Sequence, residues 1–243
     1  DDVPRRTAAV PFGRAAPSLP GSTPRWGLSV ACPVAELQRR GISLPRRFPS
    51  PSLAVVVVAS DSAGRVLLTR RTPHMRTFPR CWVFPGGGVD PGEDLFAAGA
   101  RELLEETGLR APRAAMRLLC FWESVYPTSA EECLREGLVK GHTVAAFVTA
   151  RLEPGEAQQL RLQPDECDHC AWVPLSELQR LHSADAADTV PSAIPGWRAA
   201  ASGLEAALLA PARLHGIYPN AVGEGIGQGH LFAVAVLAGL AAR

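Results

Sequence analysis

GGGVDPGEDLFAAGARELLEETGL, residues 86–109, is the stretch on which the reading of this 243-residue chain turns. Three glycines and a Pro91–Gly92 turn lead into a run predicted to be helical from Asp94 to Thr107. At about 100° per residue, Phe96, Ala97, Ala100, Leu103 and Leu104 fall on one side, and Glu102, Glu105 and Glu106 on the other. Gly108 supplies the helix stop. Glu102 and Glu106 stand one above the other on such a helix, with Glu105 close by. Stacked like charges repel one another, so a purely structural helix gains nothing from them. A divalent cation would turn that repulsion into a binding site.

The flanking sequence predicts what such a helix packs against. SLAVVVVAS (52–60) is the β-branched run of a strand buried on both faces; RVLLTRR (65–71) returns from an Asp61–Gly64 turn to make a hairpin. CWVF (81–84) is a short strand feeding the Pro85–Gly88 loop, where the backbone can come close to a ligand. Leu118–Tyr126 and His142–Ala150 read as strands joined by a polar loop holding Glu131, Glu132 and Lys140. Cys170–Pro174 reads as a further strand, and SELQRLH from Ser176 as a short helix. After a linker beginning at 183, Leu204–Leu214 and Leu231–Ala242 are expected to be closing helices that pack on or cap the domain. The glycines of GEGIGQGH (223–230) lack dinucleotide-fingerprint spacing and read as a flexible connector that could cover the site's mouth. The fold class is therefore α+β, with one carboxylate-bearing helix against a mixed sheet.

Composition narrows the function. With 47% hydrophobic residues and a net charge of +1, the chain reads as a soluble globular protein without a polyanion-binding tail, and no membrane is expected among its partners. No apolar run reaches the roughly 18 to 20 residues that span a bilayer. Residues 1–50 hold eight Pro, eight Arg and three acidic residues, a local charge of 8 − 3 = +5. They read as a partly ordered Pro/Arg-rich extension, with room for a short helix within Trp26–Gln38; a basic arm for RNA or an organelle address are the alternatives. A cytoplasmic location is expected, with targeting left open because the chain starts at Asp1 without a Met. The six cysteines are too sparse for a disulfide framework; Cys167 and Cys170 read as buried thiols on a strand, with a zinc or redox role as the minor alternative.

The opening stretch also fills the pattern G-x5-E-x7-R-E-U-x-E-E-x-G-U, where U is a bulky aliphatic, through Gly87, Glu93, Arg101, Glu102, Leu103, Glu105, Glu106, Gly108 and Leu109. In this the chain resembles the Nudix hydrolases over residues 51–182. The resemblance implies a Nudix-like α/β/α sandwich with a mixed β-sheet and a catalytic loop-helix. It also implies hydrolysis of a nucleoside diphosphate linked to another moiety, with Mg²⁺ or Mn²⁺ as cofactor. LLTRR, PRCWVFPGGGV, FWESVYP and GLVKGH further resemble a vertebrate subgroup of that family, which adds capped RNA to the small nucleotide derivatives as a substrate class.

On this reading Glu102 and Glu106 are direct metal ligands, Glu105 a direct or water-mediated one, and the Gly86 carbonyl a further ligand by resemblance. Arg101 braces a carboxylate, Glu93 closes the loop–helix junction, and Gly87 and Gly108 are structural. The general base stays open between Glu105, Glu166 and Glu123. Arg70 and Arg71 are either phosphate contacts or solvated strand-end charges; Trp122 and Tyr126 either stack on a base or sit in the core. A non-catalytic nucleotide-binding regulatory module is the alternative of another class, and the complete carboxylate set argues against it. Oligomeric state is not legible.

Overall fold

The computed structural model describes residues 24–28, 32–47, 50–181 and 193–241. Much of the Pro/Arg-rich extension lies outside the described residues, as does the linker expected over 183–196 up to residue 192; its end, from Ile194, is a strand instead. In chain order the elements are β1 (Arg25–Leu28), α1 (Pro33–Arg39), β2 (Ser52–Ser60), β3 (Arg65–Arg71), β4 (Trp82–Val83), β5 (Gly86–Gly88) and α2 (Leu95–Thr107). They continue with β6 (Met116–Tyr126), α3 (Ala130–Glu136), β7 (Gly141–Arg151), β8 (Cys167–Pro174), α4 (Leu175–Leu181), β9 (Ile194–Ala200), β10 (Gly203–Leu209) and α5 (Gln228–Ala241).

All ten strands join one mixed sheet, ordered β1-β6-β7-β2-β3-β8-β9-β10. At its centre β2 pairs in parallel with β7 along its whole length, from Ser52 opposite Thr143 to Ser60 opposite Arg151. Its side chains alternate between two cores: Val55, Val57 and Ala59 face one, Val56 and Val58 the other. This is why the run is apolar without interruption. Leu95, Ala98 and Leu103 of α2 fill the first core, while Leu178 of α4 and Ala233, Val234 and Val236 of α5 fill the second. The expected α/β/α sandwich is the architecture.

The hairpin of β2 and β3 starts at an Asp61 turn, where the Asp61 carboxylate accepts from the backbone N–H of Ala63 (3.0 Å) and Arg65 (2.9 Å). Beyond Ser60 opposite Val66 the two strands part. The widening gap holds β4 against β3 and β5 against β2, with Val55 opposite Gly87 and Val56 opposite Gly86. The glycine stretch, expected as a loop, is thus a strand locked to the centre of the sheet.

Several expectations need correction. Leu204–Leu214 is not a helix: β10 forms an antiparallel hairpin with β9, and β9 pairs β8. Strand β9, itself laid on β8, offered this Leu- and Ala-rich segment a ladder, and tertiary pairing overrode its helical propensity. The polar loop after β6 contains α3, capped by Ser129, whose hydroxyl accepts from Glu132 N at 3.2 Å. The short helix allowed for within Trp26–Gln38 is α1, ending one residue later at Arg39, while Arg25–Leu28 before it is a strand parallel to β6. All six cysteines are free and buried, as the reading of Cys167 and Cys170 required. Among the described residues, no helix is long and apolar enough to cross a membrane.

Candidate active site

Helix α2 is held at both ends by its own sequence. Asp94 caps it, accepting from Phe96 N (3.0 Å) and Ala97 N (2.9 Å), and Gly108 ends it in the left-handed region at φ 70°. Its buried positions are Leu95, Ala98, Gly99, Leu103, Glu106 and Thr107. This corrects the wheel drawn from sequence: Leu104 is exposed, and Glu106 lies within the buried stripe instead of opposite it. The cause is β5. A Cβ on Gly87 would stand 2.5 Å from the Glu102 carboxyl carbon, and one on Gly86 2.2 Å from the Val55 carbonyl oxygen. Only glycines let the strand close over the carboxylates.

Glu106 accepts a hydrogen bond from Gly86 N at 3.2 Å and is 5% exposed. Burial, assisted by the charges of Glu166 and Glu102, pushes its carboxyl up to about 8, against the Gly86 N–H and the Arg71 charge. Burial also raises Glu102, opposed by its hydrogen bond from Arg101. Arg101 is a four-way brace: it reaches Glu93 through Nε (3.1 Å) and Nη2 (2.8 Å), the Gly88 carbonyl (2.9 Å) and Glu102 (2.7 Å). Glu93 in turn accepts from Asp90 N at 3.3 Å, closing the junction into the helix. Glu105 is exposed and touches Arg101 only at 3.5 Å.

Glu166 lies just before β8, and its charge reaches both Glu102 and Glu106. Its backbone carbonyl accepts from Thr72 N at 2.8 Å, while Gln163 N, in the same turn, donates to the Glu106 carbonyl at 3.0 Å. That turn therefore fixes Glu166 against the end of α2. Glu123 is engaged elsewhere, 2.6 Å from His142 Nε2.

Among the described residues, no three His, Cys, Asp or Glu side chains converge as a ready metal cage. The donor set nevertheless suits a hard divalent cation: Glu102 and Glu106 would offer carboxylate oxygens from a half-dry site in which carboxylates outnumber arginines.

Two expected substrate contacts are corrected. Arg70 is 6% exposed and consumed by partners, giving Nε and Nη2 to Asp168 (2.8 and 2.6 Å) and Nη1 to Glu224 (2.6 Å). Trp122 is a core residue, its ring 5.5 Å from Phe232, with Gly229 close enough that a Cβ would fall 2.7 Å from the indole. Tyr126 is 43% exposed, but stands at the last position of β6, opposite Gly141. Strand β6 is separated from β5 by β7 and β2. Of the four residues, Arg71 alone has its charge felt at Glu106.

The C-terminal segment was the part least legible in advance. Glu224 receives Arg70, Arg213 and the Trp82 indole N–H (2.9 Å), and is buried. Gly225 and Gly227 lie along β4, through Trp82 N to Gly225 O (2.9 Å) and Gly227 N to Trp82 O (3.2 Å). His230 Nδ1 accepts from Phe84 N at 3.0 Å, two residues before Gly86. The GEGIGQGH segment, expected as a flexible connector, is therefore a strap pinned along β4, and a contact across 142 residues leaves no signal in the local sequence.

A family model described as NUDIX domain matches residues 50–192. The m7GpppN-mRNA hydrolase NUDT17 of Xenopus laevis is 37% identical over 148 residues, 58% of this chain and 49% of that protein. The Homo sapiens protein of the same name is 32% identical over 194 residues, 76% of this chain and 56% of that one. The chain thus spans about half the length of these curated relatives. Among solved structures, a MutT NUDIX hydrolase from Burkholderia pseudomallei aligns with a TM-score of 0.41 at 28% identity, covering 52% of this chain and 85% of that one.

Proposed function

We propose, from the premise that this chain belongs to the NUDIX family, that it hydrolyses the diphosphate linkage of a nucleoside diphosphate joined to a second moiety. The cation is Mg²⁺ or Mn²⁺. The observation that carries this reading is Glu106: a buried carboxyl of α2 held against the glycine strand and flanked by Glu102 and Glu166, so that carboxylates outnumber the single arginine charge, of Arg71, felt there. A divalent cation held there would balance these carboxylates, screen the diphosphate and make a water more acidic. Glu102 and Glu106 hold it, with Glu105 and the Gly86 carbonyl as further oxygen donors. Arg101 keeps Glu102 and the Gly88 backbone in register. Glu166 is the general base: it accepts the water proton as the water oxygen bonds to phosphorus and the anhydride oxygen leaves with the other phosphate.

The test compares wild type with Glu106→Gln on dinucleotides, ADP-ribose, coenzyme A, NDP-sugars and capped RNA, each with Mg²⁺ and with Mn²⁺. Wild type is expected to release a phosphorylated product from at least one of them, and the variant to lose that activity while remaining folded. Absence of any product from wild type overturns the reading in favour of a binding module. Capped RNA is the second substrate reading. It is supported by the m7GpppN-mRNA hydrolase relatives at 32 to 37% identity, and exclusive turnover of the capped RNA would select it.

A further inference from the structure

The hairpin loop between β3 and β4, Thr72 to Arg80, is more ordered than its exposure suggests. Arg71 donates from Nε to the Thr77 carbonyl (3.1 Å), Arg80 N to the Arg71 carbonyl (3.1 Å), and Cys81 N to the Phe78 carbonyl (3.2 Å). These bonds hold two non-glycine residues at positive φ, Phe78 at 51° and Arg80 at 62°. Such conformations persist only where their surroundings enforce them, and they cluster at ligand-handling sites. Here the enforced backbone leaves the large apolar ring of Phe78 38% exposed at the loop tip.

A second aromatic ring meets it from the C-terminal segment. Tyr218 lies 6.0 Å from Phe78, edge to face at 79°. Its backbone is fixed by Tyr218 N donating to the Ile226 carbonyl at 3.0 Å, within the strap along β4. Its hydroxyl bonds no group among the described residues. Burial pushes that hydroxyl up, with Arg71 pulling the other way, so the guanidinium whose charge is felt at Glu106 is felt at Tyr218 too. Arg71 uses only the neutral Thr77 carbonyl and hydroxyl as hydrogen-bond partners, and Arg76 and Arg80 have no ion pair among the described residues. Aromatic faces beside arginines without carboxylate partners, next to a carboxylate site, suit a flat base carried on an anionic phosphate chain.

We infer that Phe78 and Tyr218 form the site that takes the nucleobase of the substrate by stacking, with Arg71 holding the adjoining phosphate. The inference rests on the diphosphate-hydrolase reading and supplies that site with its nucleoside end. Base stacking tolerates any base, so the site selects a nucleotide over a bare diphosphate without choosing among nucleotides.

Calorimetric binding to the full chain in Mg²⁺ tests this with non-hydrolysable probes: α,β-methylene-ADP, its guanosine counterpart, and methylenediphosphonate, which lacks the nucleoside. Wild type is expected to bind both nucleotides at least tenfold more tightly than methylenediphosphonate. Phe78→Ala and Tyr218→Ala are expected to weaken both nucleotides about tenfold, as for one lost base–aromatic stack, and to leave methylenediphosphonate unchanged. Tyr218→Phe keeps nucleotide affinity, and Arg71→Ala weakens all three probes. The inference is overturned if wild type does not prefer the nucleotides, or if the alanine variants weaken all probes alike or none. A lack of turnover in the substrate panel, with the stacking effect intact, removes hydrolysis and leaves the base site standing. Turnover without a stacking effect does the reverse.

Discussion

Glu106 keeps a proton that an exposed glutamate would have lost. Its pKa is raised from the ordinary 4.5 to about 8, chiefly by burial, so in the cation-free protein its contribution to stability is complete below pH 4.5 and is lost as pH rises through 8. Thermal unfolding of cation-free protein should therefore show falling stability from pH 5 to 8.5, and Glu106→Gln should flatten that slope. Cation binding near pH 7 must expel the proton; calorimetry in buffers of different ionisation enthalpy should detect its release in wild type and not in the variant. Arg101 acts through its neighbours. Arg101→Ala frees Glu93, Glu102 and the Gly88 carbonyl together and should lower cation affinity about 10- to 100-fold, as second-layer losses at metal sites do, with Arg101→Lys recovering only part. These roles were legible because their spacing is local. The fate of Arg70 was not, since its partners Asp168 and Glu224 lie 98 and 154 residues away. Of the two neighbours it is Arg71 whose charge is felt at Glu106, a difference that adjacent positions in the sequence do not reveal.

At the scale of elements, the glycine strand and the helix act as one device. Gly87→Ala drives a methyl group into the Glu102 carboxylate, so it should abolish most turnover while leaving the thermal midpoint within a few degrees; unchanged turnover would show that Glu102 can move aside without consequence. Asp94→Ala removes the helix cap and the ion pair with Arg113, and should cost about 1 kcal/mol, a fall of roughly 2–4 °C for a chain of this size. The helix and the β2–β3 hairpin could be read in advance because caps, turns and periodicity are written in neighbouring residues. GLEAALL (203–209) could not, because helix formers such as Leu, Ala and Glu become a strand only where another strand's edge is free, and β8 provides that edge through β9. The extra short strand at Arg25–Leu28 was hidden for the same reason: its partner is β6, nearly a hundred residues on.

Across the whole molecule, the C-terminal segment is fastened to the sheet by a buried charge cluster. Arg70 and Arg213 meet Asp168 and Glu224, with the Trp82 indole and His169 completing the bonds. Glu224→Ala would leave Arg70 Nη1, the Arg213 guanidinium and the Trp82 indole N–H without their acceptor, and should cost about 3–5 kcal/mol, read as a lower denaturant midpoint. The flanking residues outside the family match also complete the sheet: β1 occupies one edge, β9 and β10 the other, and α5 roofs one face. A protein trimmed to residues 50–192 would keep Glu93, Glu102, Glu105, Glu106 and Glu166, yet it would lose Glu224 and present the bare backbone of β6 and β8 and an unroofed apolar face. Open ladders of this kind recruit other chains. The shortest version that looks complete by its motif is therefore the one most prone to form aggregates, and solubility, before activity, would mark where this protein's domain ends.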